Sequence, residues 1–252
     1  MNKMKRIVLS IFISLYLISL IGCTKPSSQQ QLAQQNAEKI YDEGQNYYLG
    51  TEVAQDYNKA FKLFEQAANQ GLAIAQSNLG SMYYKGQATD QNYEKALYWF
   101  NKASAQNFAE AQYNLAVMYE KGIYVSQDRA KAITLYEKAA DQNLDQAQFN
   151  LAVLYEKGLG VEKNIAKAIA LYQKAADQGL AKAQINLGTM YFNGEGVPKD
   201  ENKALTLFTK AAEQNIPEAQ NNLSYLYANV FHDQEKARYW YQKAIENGYK
   251  DD

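Results

Sequence analysis

The fold is decided by Leu180–Asn215, LAKAQINLGTMYFNGEGVPKDENKALTLFTKAAEQN. Two amphipathic runs lie within it. The first gathers Ala183, Leu187, Gly188, Met190 and Tyr191, and the second gathers Ala204, Leu207, Phe208, Ala211 and Ala212. Gly194-Glu195-Gly196-Val197-Pro198 separates them. The same pattern starts again 36 residues earlier at Leu144, then at Phe108 and Leu72, and 36 residues later at Ile216. A fixed period of this size is the mark of stacked helical units, which have no single globular core. The spacing predicts an all-α, α/α superhelical solenoid of about six 36-residue helix-turn-helix units.

Punctuation recurs with the pattern. An Asx residue stands before each second helix, at Asp56, Asn92, Asp128, Asn164, Asp200 and Asp233. Its short side chain can accept a hydrogen bond from the first helical turn. Gly71, Asn107, Asn143, Gly179, Asn215 and Gly248 follow the second helices, and Gly and Asn are the residues that tolerate a left-handed C-terminal conformation. The units therefore run from Ala37 to Gly71, Leu72 to Asn107, Phe108 to Asn143, Leu144 to Gly179, Leu180 to Asn215 and Ile216 to Gly248, the last with a loop shorter by three residues. Lys59, Lys95, Lys131, Lys167, Lys203 and Lys236 each fall three residues after the Asx. A cation there opposes the helix dipole, so the stem is expected to cover apolar surface while the head reaches solvent or an acidic neighbour.

Several matching units resemble the Sel-one-like repeat, a branch of the tetratricopeptide superfamily. The motif is carried by Ala183, Asn186, Leu187, Gly188, Met190, Tyr191, Gly194, Gly196, Val197, Asp200, Lys203, Ala204, Phe208, Lys210, Ala211 and Ala212. Ala88 and Tyr124 replace the second loop glycine in units two and three, and unit six lacks the glycine-rich loop. The resemblance implies an α/α superhelix used as an adaptor or binding scaffold. Some secreted members are cysteine-rich and are discussed as β-lactamases, but Cys23 is the sole cysteine here, so that activity does not carry over.

The amino terminus predicts a location. Lys3, Lys5 and Arg6 precede an apolar run, Ile7–Leu20, too short for a membrane span and suited to a signal sequence. Leu20-Ile21-Gly22-Cys23 resembles a bacterial lipobox, in which the cysteine becomes the lipidated first residue. The alternatives are an ordinary signal peptide cut near Gly22 and an uncleaved anchor. The expected organisation is a lipoprotein signal at 1–22, lipidated Cys23 with a flexible Gln/Ser-rich tether to residue 36, and the repeats over 37–252. Thr24 in place of an aspartate leans towards the outer membrane, facing the periplasm.

Chemistry is sparse. His232 is the single histidine, with no second titrating group marked out beside it. Neither a zinc motif nor G-x-S-x-G, S-x-x-K or K-T-G is present, and the Gly158-Leu159-Gly160 and Gly194-Glu195-Gly196 loops are explained by turn geometry. No cofactor, metal or small-molecule substrate is implied, and an enzyme acting on cell-wall material is the disfavoured alternative. The formal net charge is −1, and about −4 once Lys3, Lys5 and Arg6 are removed, which offers no field for nucleic acid.

Function is sought where the units differ. On the first helices a stripe at i, i+4 and i+7 shares one face and varies between units. Its members are Ser77, Ser81 and Tyr84; Tyr113, Val117 and Glu120; Phe149, Val153 and Glu156; Ile185, Thr189 and Phe192; and Asn221, Tyr225 and Ala228. By resemblance to tetratricopeptide arrays these positions line a concave groove, with an apolar centre suited to a protein segment. Packing against neighbouring second helices is the competing explanation. The expected role is a lipid-anchored scaffold for a protein partner, with an immunity protein against a periplasmic effector as its sharper form.

Overall fold

The computed structural model describes residues 27–250. Among these residues there are twelve helices and no strands. They are α1 (Ser28–Leu49), α2 (Tyr57–Asn69), α3 (Ala73–Lys85), α4 (Tyr93–Ala105), α5 (Ala109–Lys121), α6 (Arg129–Asp141), α7 (Asp145–Lys157), α8 (Ile165–Asp177), α9 (Ala181–Asn193), α10 (Glu201–Ala212), α11 (Pro217–Asn229) and α12 (Gln234–Glu246). The chain divides into two compact units, Met1–Ala75 and Gln76–Asp252. In the first, α1 packs on α2. In the second, odd and even helices pair as hairpins, and each hairpin packs on the next through consecutive helices. This is an all-α repeat fold.

Every even-numbered helix starts at the Asx residue expected. Asp56, Asn92, Asp128, Asn164, Asp200 and Asp233 accept a hydrogen bond from the backbone N–H three residues on. Their own N–H groups donate to the carbonyls of Tyr47, Tyr83, Tyr119, Tyr155, Tyr191 and Tyr227 at 2.8–2.9 Å, closing each hairpin loop. In the last hairpin that bond joins residues 227 and 233, whereas in the one before it joins 191 and 200. The loop loses three residues and the closure survives. The C-terminal residues Gly71, Asn107, Asn143, Gly179, Asn215 and Gly248 all have positive φ, between 60° and 99°.

The lysines three residues past the cap complete this closure. Their ammonium groups lie over the rings of the same six tyrosines, with centroid distances from 4.0 Å for Lys131 on Tyr119 to 5.1 Å for Lys236 on Tyr227. Each such contact contributes about 0.5–1 kcal/mol at an exposed site, which offsets the unfavourable position of a cation in a first helical turn. The apolar surface expected beneath each lysine is thus a tyrosine face.

Close packing within hairpins depends on small residues. A Cβ on Gly188 would come within 2.7 Å of Phe208. Gly44 and Gly80 meet Phe64 and Phe100 in the same way. Ala116 and Ala152 occupy the equivalent position in the hairpins whose second helix carries Tyr136 and Tyr172 instead. Loop Gly196 has φ of 71°, and a Cβ there would overlap Ile165.

Between hairpins a buried glutamine repeats. Gln76, Gln112, Gln148, Gln184 and Gln220 are 1–4% exposed. Their side-chain oxygens accept from Gln106, Gln142, Gln178, Gln214 and Asn247 at 2.7–3.1 Å, at the end of the second helix of the same hairpin. The Nε2 atoms of Gln148, Gln184 and Gln220 donate to the carbonyls of Ala140, Ala176 and Ala212 in the preceding hairpin. One side chain therefore ties three helix ends.

One expectation needs correction. The stretch read as a flexible tether as far as residue 36 is helical from Ser28. Ser27 and Gln30 form a reciprocal capping box at its start, and the Gln, Ala and Leu residues that follow are good helix formers. Asn36 donates to Gln70 of α2 at 3.0 Å, which ties this extension to its hairpin.

Gln184→Leu keeps the volume but leaves the Gln214 amide and the Ala176 carbonyl without that partner. Urea unfolding should show a loss of about 1–3 kcal/mol, while Lys174→Gln on the exposed surface should change stability by less than about 0.5 kcal/mol.

Candidate protein-binding face

Within the larger unit the first helices of successive hairpins bring their variable faces together. Asn150 on α7 reaches the Tyr113 hydroxyl on α5. Phe192 on α9 meets the Tyr225 ring on α11 edge-on, with centroids 6.0 Å apart. Three depressions follow the face. One of about 150 Å³ is lined by Ser81, Tyr84, Phe100, Tyr113, Asn114 and Val117, with Lys85 at its edge. A second, of about 560 Å³, spans α5 to α9 and includes Tyr113, Asp145, Phe149, Asn150 and Lys182. The third, about 220 Å³, is bounded by Thr189, Phe192, Asn193, Phe208, Asn222 and Tyr225.

The sequence stripe is only partly available on this face. Ser81, Tyr84, Tyr113, Val117, Phe149, Val153, Thr189, Phe192 and Asn221 are half-buried and Tyr225 is 55% exposed. Ser77 is buried. Ile185 is also buried, in a core cluster with Ala204, Phe208 and Leu223, so it offers no surface to a partner. The i, i+4, i+7 spacing places it on the stripe's face, but there side chains of α10 and α11 enclose it. Asn221 donates to the Tyr249 hydroxyl at 2.9 Å.

Glu120 and Glu156 are not free acids awaiting a ligand. Glu120 accepts from the Tyr136 hydroxyl at 2.7 Å, and Asn150 donates to that same oxygen at 3.1 Å. Glu156, Tyr172 and Asn186 repeat the arrangement one hairpin later. Burial, first, and then the facing carboxylate hold both phenols protonated well above the ordinary tyrosine range. Burial also raises Tyr113. These triads fasten the first helix of one hairpin to the second helix before it.

The triad escaped sequence reading, though its signal was present. Glutamate occurs at the third stripe position where the second helix carries tyrosine, at Tyr136 and Tyr172. Where it carries phenylalanine, at Phe64, Phe100 and Phe208, the partner is Tyr48, Tyr84 or Phe192. A hydroxyl calls for an acceptor and a bare ring calls for another ring. Asn114 and Asn222, in register with Asn150 and Asn186, face Phe100 and Phe208 and have no tyrosine hydroxyl at that place. They line the two smaller depressions instead.

Nothing in this face is arranged for metal chemistry. Among the described residues no three His, Cys, Asp or Glu side chains are grouped to hold an ion, and no helix is long and apolar enough to cross a membrane. His232 lies in the last hairpin loop with φ of 55°. Cys23 and the signal-like segment fall outside the described residues.

Comparison with known proteins agrees with the geometry. The Sel1 repeat model matches six times, at residues 29–72, 73–108, 109–144, 145–180, 181–216 and 217–249. A Sel1 repeat protein from Oxalobacter formigenes superposes with a TM-score of 0.78 at 32% identity, over 83% of this chain and 87% of that one. The c5321 protective antigen of uropathogenic Escherichia coli gives 0.54 at 29% identity, over 84% of this chain and 54% of that one. Immunity protein Pa5087 from Pseudomonas aeruginosa shares the fold at TM-score 0.52 and 18% identity, over 90% and 84% of the two chains. A 51-residue stretch is 41% identical to Neisseria meningitidis protein NMB1327, covering 20% of this chain and only 11% of that protein.

The triads make alkali a specific probe. Tyr136 and Tyr172 have folded-state values above their unfolded value near 10, so their contribution is complete below pH 10 and falls as the pH rises through the folded values. Stability should therefore decline from pH 10 upward. In Tyr172→Phe the midpoint of thermal unfolding at pH 7 should drop by a few degrees, because Glu156 and Asn186 lose their partner, and its further decline between pH 10 and 11.5 should be shallower than in the parent.

Proposed function

The chain belongs to the Sel1 repeat family, and on that premise we propose that it is a lipid-anchored envelope scaffold that holds a protein segment along the first-helix face. Repeats of this family serve as scaffolds for protein interaction, and the row of half-buried aromatic and aliphatic side chains is the observation that carries the reading here. Tyr113, Val117, Phe149, Val153 and Phe192 supply apolar anchors, and aromatic anchors in shallow depressions are where binding energy concentrates. Asn114 and Asn222 add amides that can hydrogen-bond a bound backbone. No bond is made or broken in this mechanism; the partner is held and masked.

An immunity role is the sharper form of the proposal. Its support is the shared fold with immunity protein Pa5087, joined to the lipobox-like Leu20–Cys23. A lipid at Cys23 would hold the repeats at the periplasmic face of the outer membrane, where an incoming effector could be captured before it acts.

The test uses the intact chain. Cys23 should take up an alkyne fatty acid in growing bacteria, and Cys23→Ser should abolish the label. Purified protein should capture a partner from envelope extract. Phe149→Glu with Tyr225→Glu, both accessible positions, should weaken that capture at least tenfold with an unchanged far-UV spectrum. Unaltered capture by the folded double variant would remove the first-helix face from the mechanism.

A further inference from the structure

Two neighbouring hairpin loops carry apolar residues at their tips. Tyr124, between α5 and α6, is 56% exposed, and Leu159, between α7 and α8, is 38% exposed. Both tips are held in place. The Ile123 N–H donates to the Met118 carbonyl at 2.9 Å, and the Leu159 N–H donates to the Leu154 carbonyl at 3.0 Å. A hydrogen bond between the Tyr124 and Glu94 side chains fastens the first tip to the start of α4. The second loop lies against the first turn of α6, since a Cβ on Gly160 would come within 2.5 Å of the Arg129 Cβ. The two tips therefore belong to one edge of the larger unit.

Cations surround these tips. Lys121, Arg129, Lys157 and Lys163 are all exposed, and among the described residues no ion pair includes any of the four. Lys131 and Lys167 stand beside them, over the rings of Tyr119 and Tyr155. The acids of the two loops are Asp128 and Glu162, and Asp128 serves as a helix cap. The surplus is positive.

The two loops that follow are balanced. In the first of them Glu195 stands in place of Leu159, Lys199 pairs with Glu201 at 2.9 Å and Lys203 with Asp200 at 3.7 Å. In the last loop the Phe231 ring lies near that of Tyr227, and Lys236 pairs with Asp233 at 3.0 Å. Of these four loops, apolar tips and unpaired cations coincide in the two that touch.

We propose that this edge rests on an anionic lipid surface, with Tyr124 and Leu159 entering the headgroup layer and Lys121, Arg129, Lys157 and Lys163 facing lipid phosphates. The residue types suit such an interface. A tyrosine ring is apolar while its hydroxyl is polar, and long basic side chains bury their stems while the charged head stays in the polar layer. Each cation close to an anionic bilayer tightens attachment about fivefold. A bilayer accepts projecting tips without a matching cavity, whereas the depressions of the first-helix face suit a protein segment. The inference requires neither a partner on that face nor a lipid at Cys23.

The test uses the full chain with Cys23→Ser, which removes the thiol and any lipid on it, and with Leu159→Cys carrying an environment-sensitive fluorophore. Vesicles of phosphatidylglycerol mixed with phosphatidylcholine should shift the emission to the blue and expose the label to quenching by nitroxide lipids. Vesicles of phosphatidylcholine alone, or the mixed vesicles at high salt, should leave the label in water. The apolar run Ile7–Leu20 can carry the chain to either vesicle, but a label at position 159 responds only where this edge meets lipid. A label placed instead by Asp141→Cys, about 18 Å from Arg129 along α6, should respond to neither vesicle. Lys121→Gln with Lys157→Gln and Lys163→Gln should raise the lipid concentration at half response at least about tenfold, with an unchanged far-UV spectrum. Equal responses to the two vesicle types, equal quenching at positions 141 and 159, or an unshifted midpoint in the folded triple variant would overturn the proposal. So would a blue shift with polyglutamate as large as that with lipid, which would assign the edge to an acidic protein.

Discussion

A buried amide that must be satisfied sets the geometry of this protein. Gln76, Gln112, Gln148, Gln184 and Gln220 are almost wholly enclosed, and an enclosed primary amide without partners costs on the order of 1–3 kcal/mol. Gln148, Gln184 and Gln220 meet that demand by bonding to the end of their own hairpin and to a carbonyl of the hairpin before, and Gln112 by bonding to Gln142 of its own hairpin and to the Asn107 side chain of the one before. Apolar packing alone would let neighbouring hairpins slide, because alanine and leucine stripes fit in several registers. A directional amide fits in one. Leucine, glycine and alanine bring the helices close, and glutamine fixes how far along they sit.

The remaining repeated residues serve the hairpin rather than the stack. The Asx cap, the tyrosine carbonyl and the lysine over the tyrosine ring close each loop by three contacts among three residues. That closure tolerates change in the intervening loop. Ala88 and Tyr124 adopt positive φ where later units use glycine, and the last loop drops three residues while keeping all three contacts. Loop sequence is therefore free to vary on a fixed frame.

Much of this was legible in the sequence because it is periodic. The helix boundaries, Asx caps and left-handed ends appear where the repeat places them, and so does the close approach at Gly188. What was not legible depends on who faces whom between units. Ile185 shares the spacing of the variable stripe, yet it is buried, because the side chains of α10 and α11 in its core cluster enclose it. The Glu120–Tyr136–Asn150 triad joins three helices of two successive hairpins, and its only trace is that glutamate keeps company with tyrosine. The helical start at Ser28 lay in a polar stretch whose composition resembles a linker, although its capping box was there to see.

The span of these contacts has a kinetic meaning. Side-chain hydrogen bonds between hairpins join positions such as 113 and 150, 37 apart, and others join neighbours within one hairpin. Little chain entropy is lost before such contacts form, and low contact order goes with fast folding. Ordering can begin at any hairpin and spread outward one unit at a time. Because each added unit brings its own glutamine and its own closed loop, whole hairpins can be gained or lost by duplication without redesigning the remainder. The length of the first-helix face is then a quantity that evolution can adjust in steps of 36 residues.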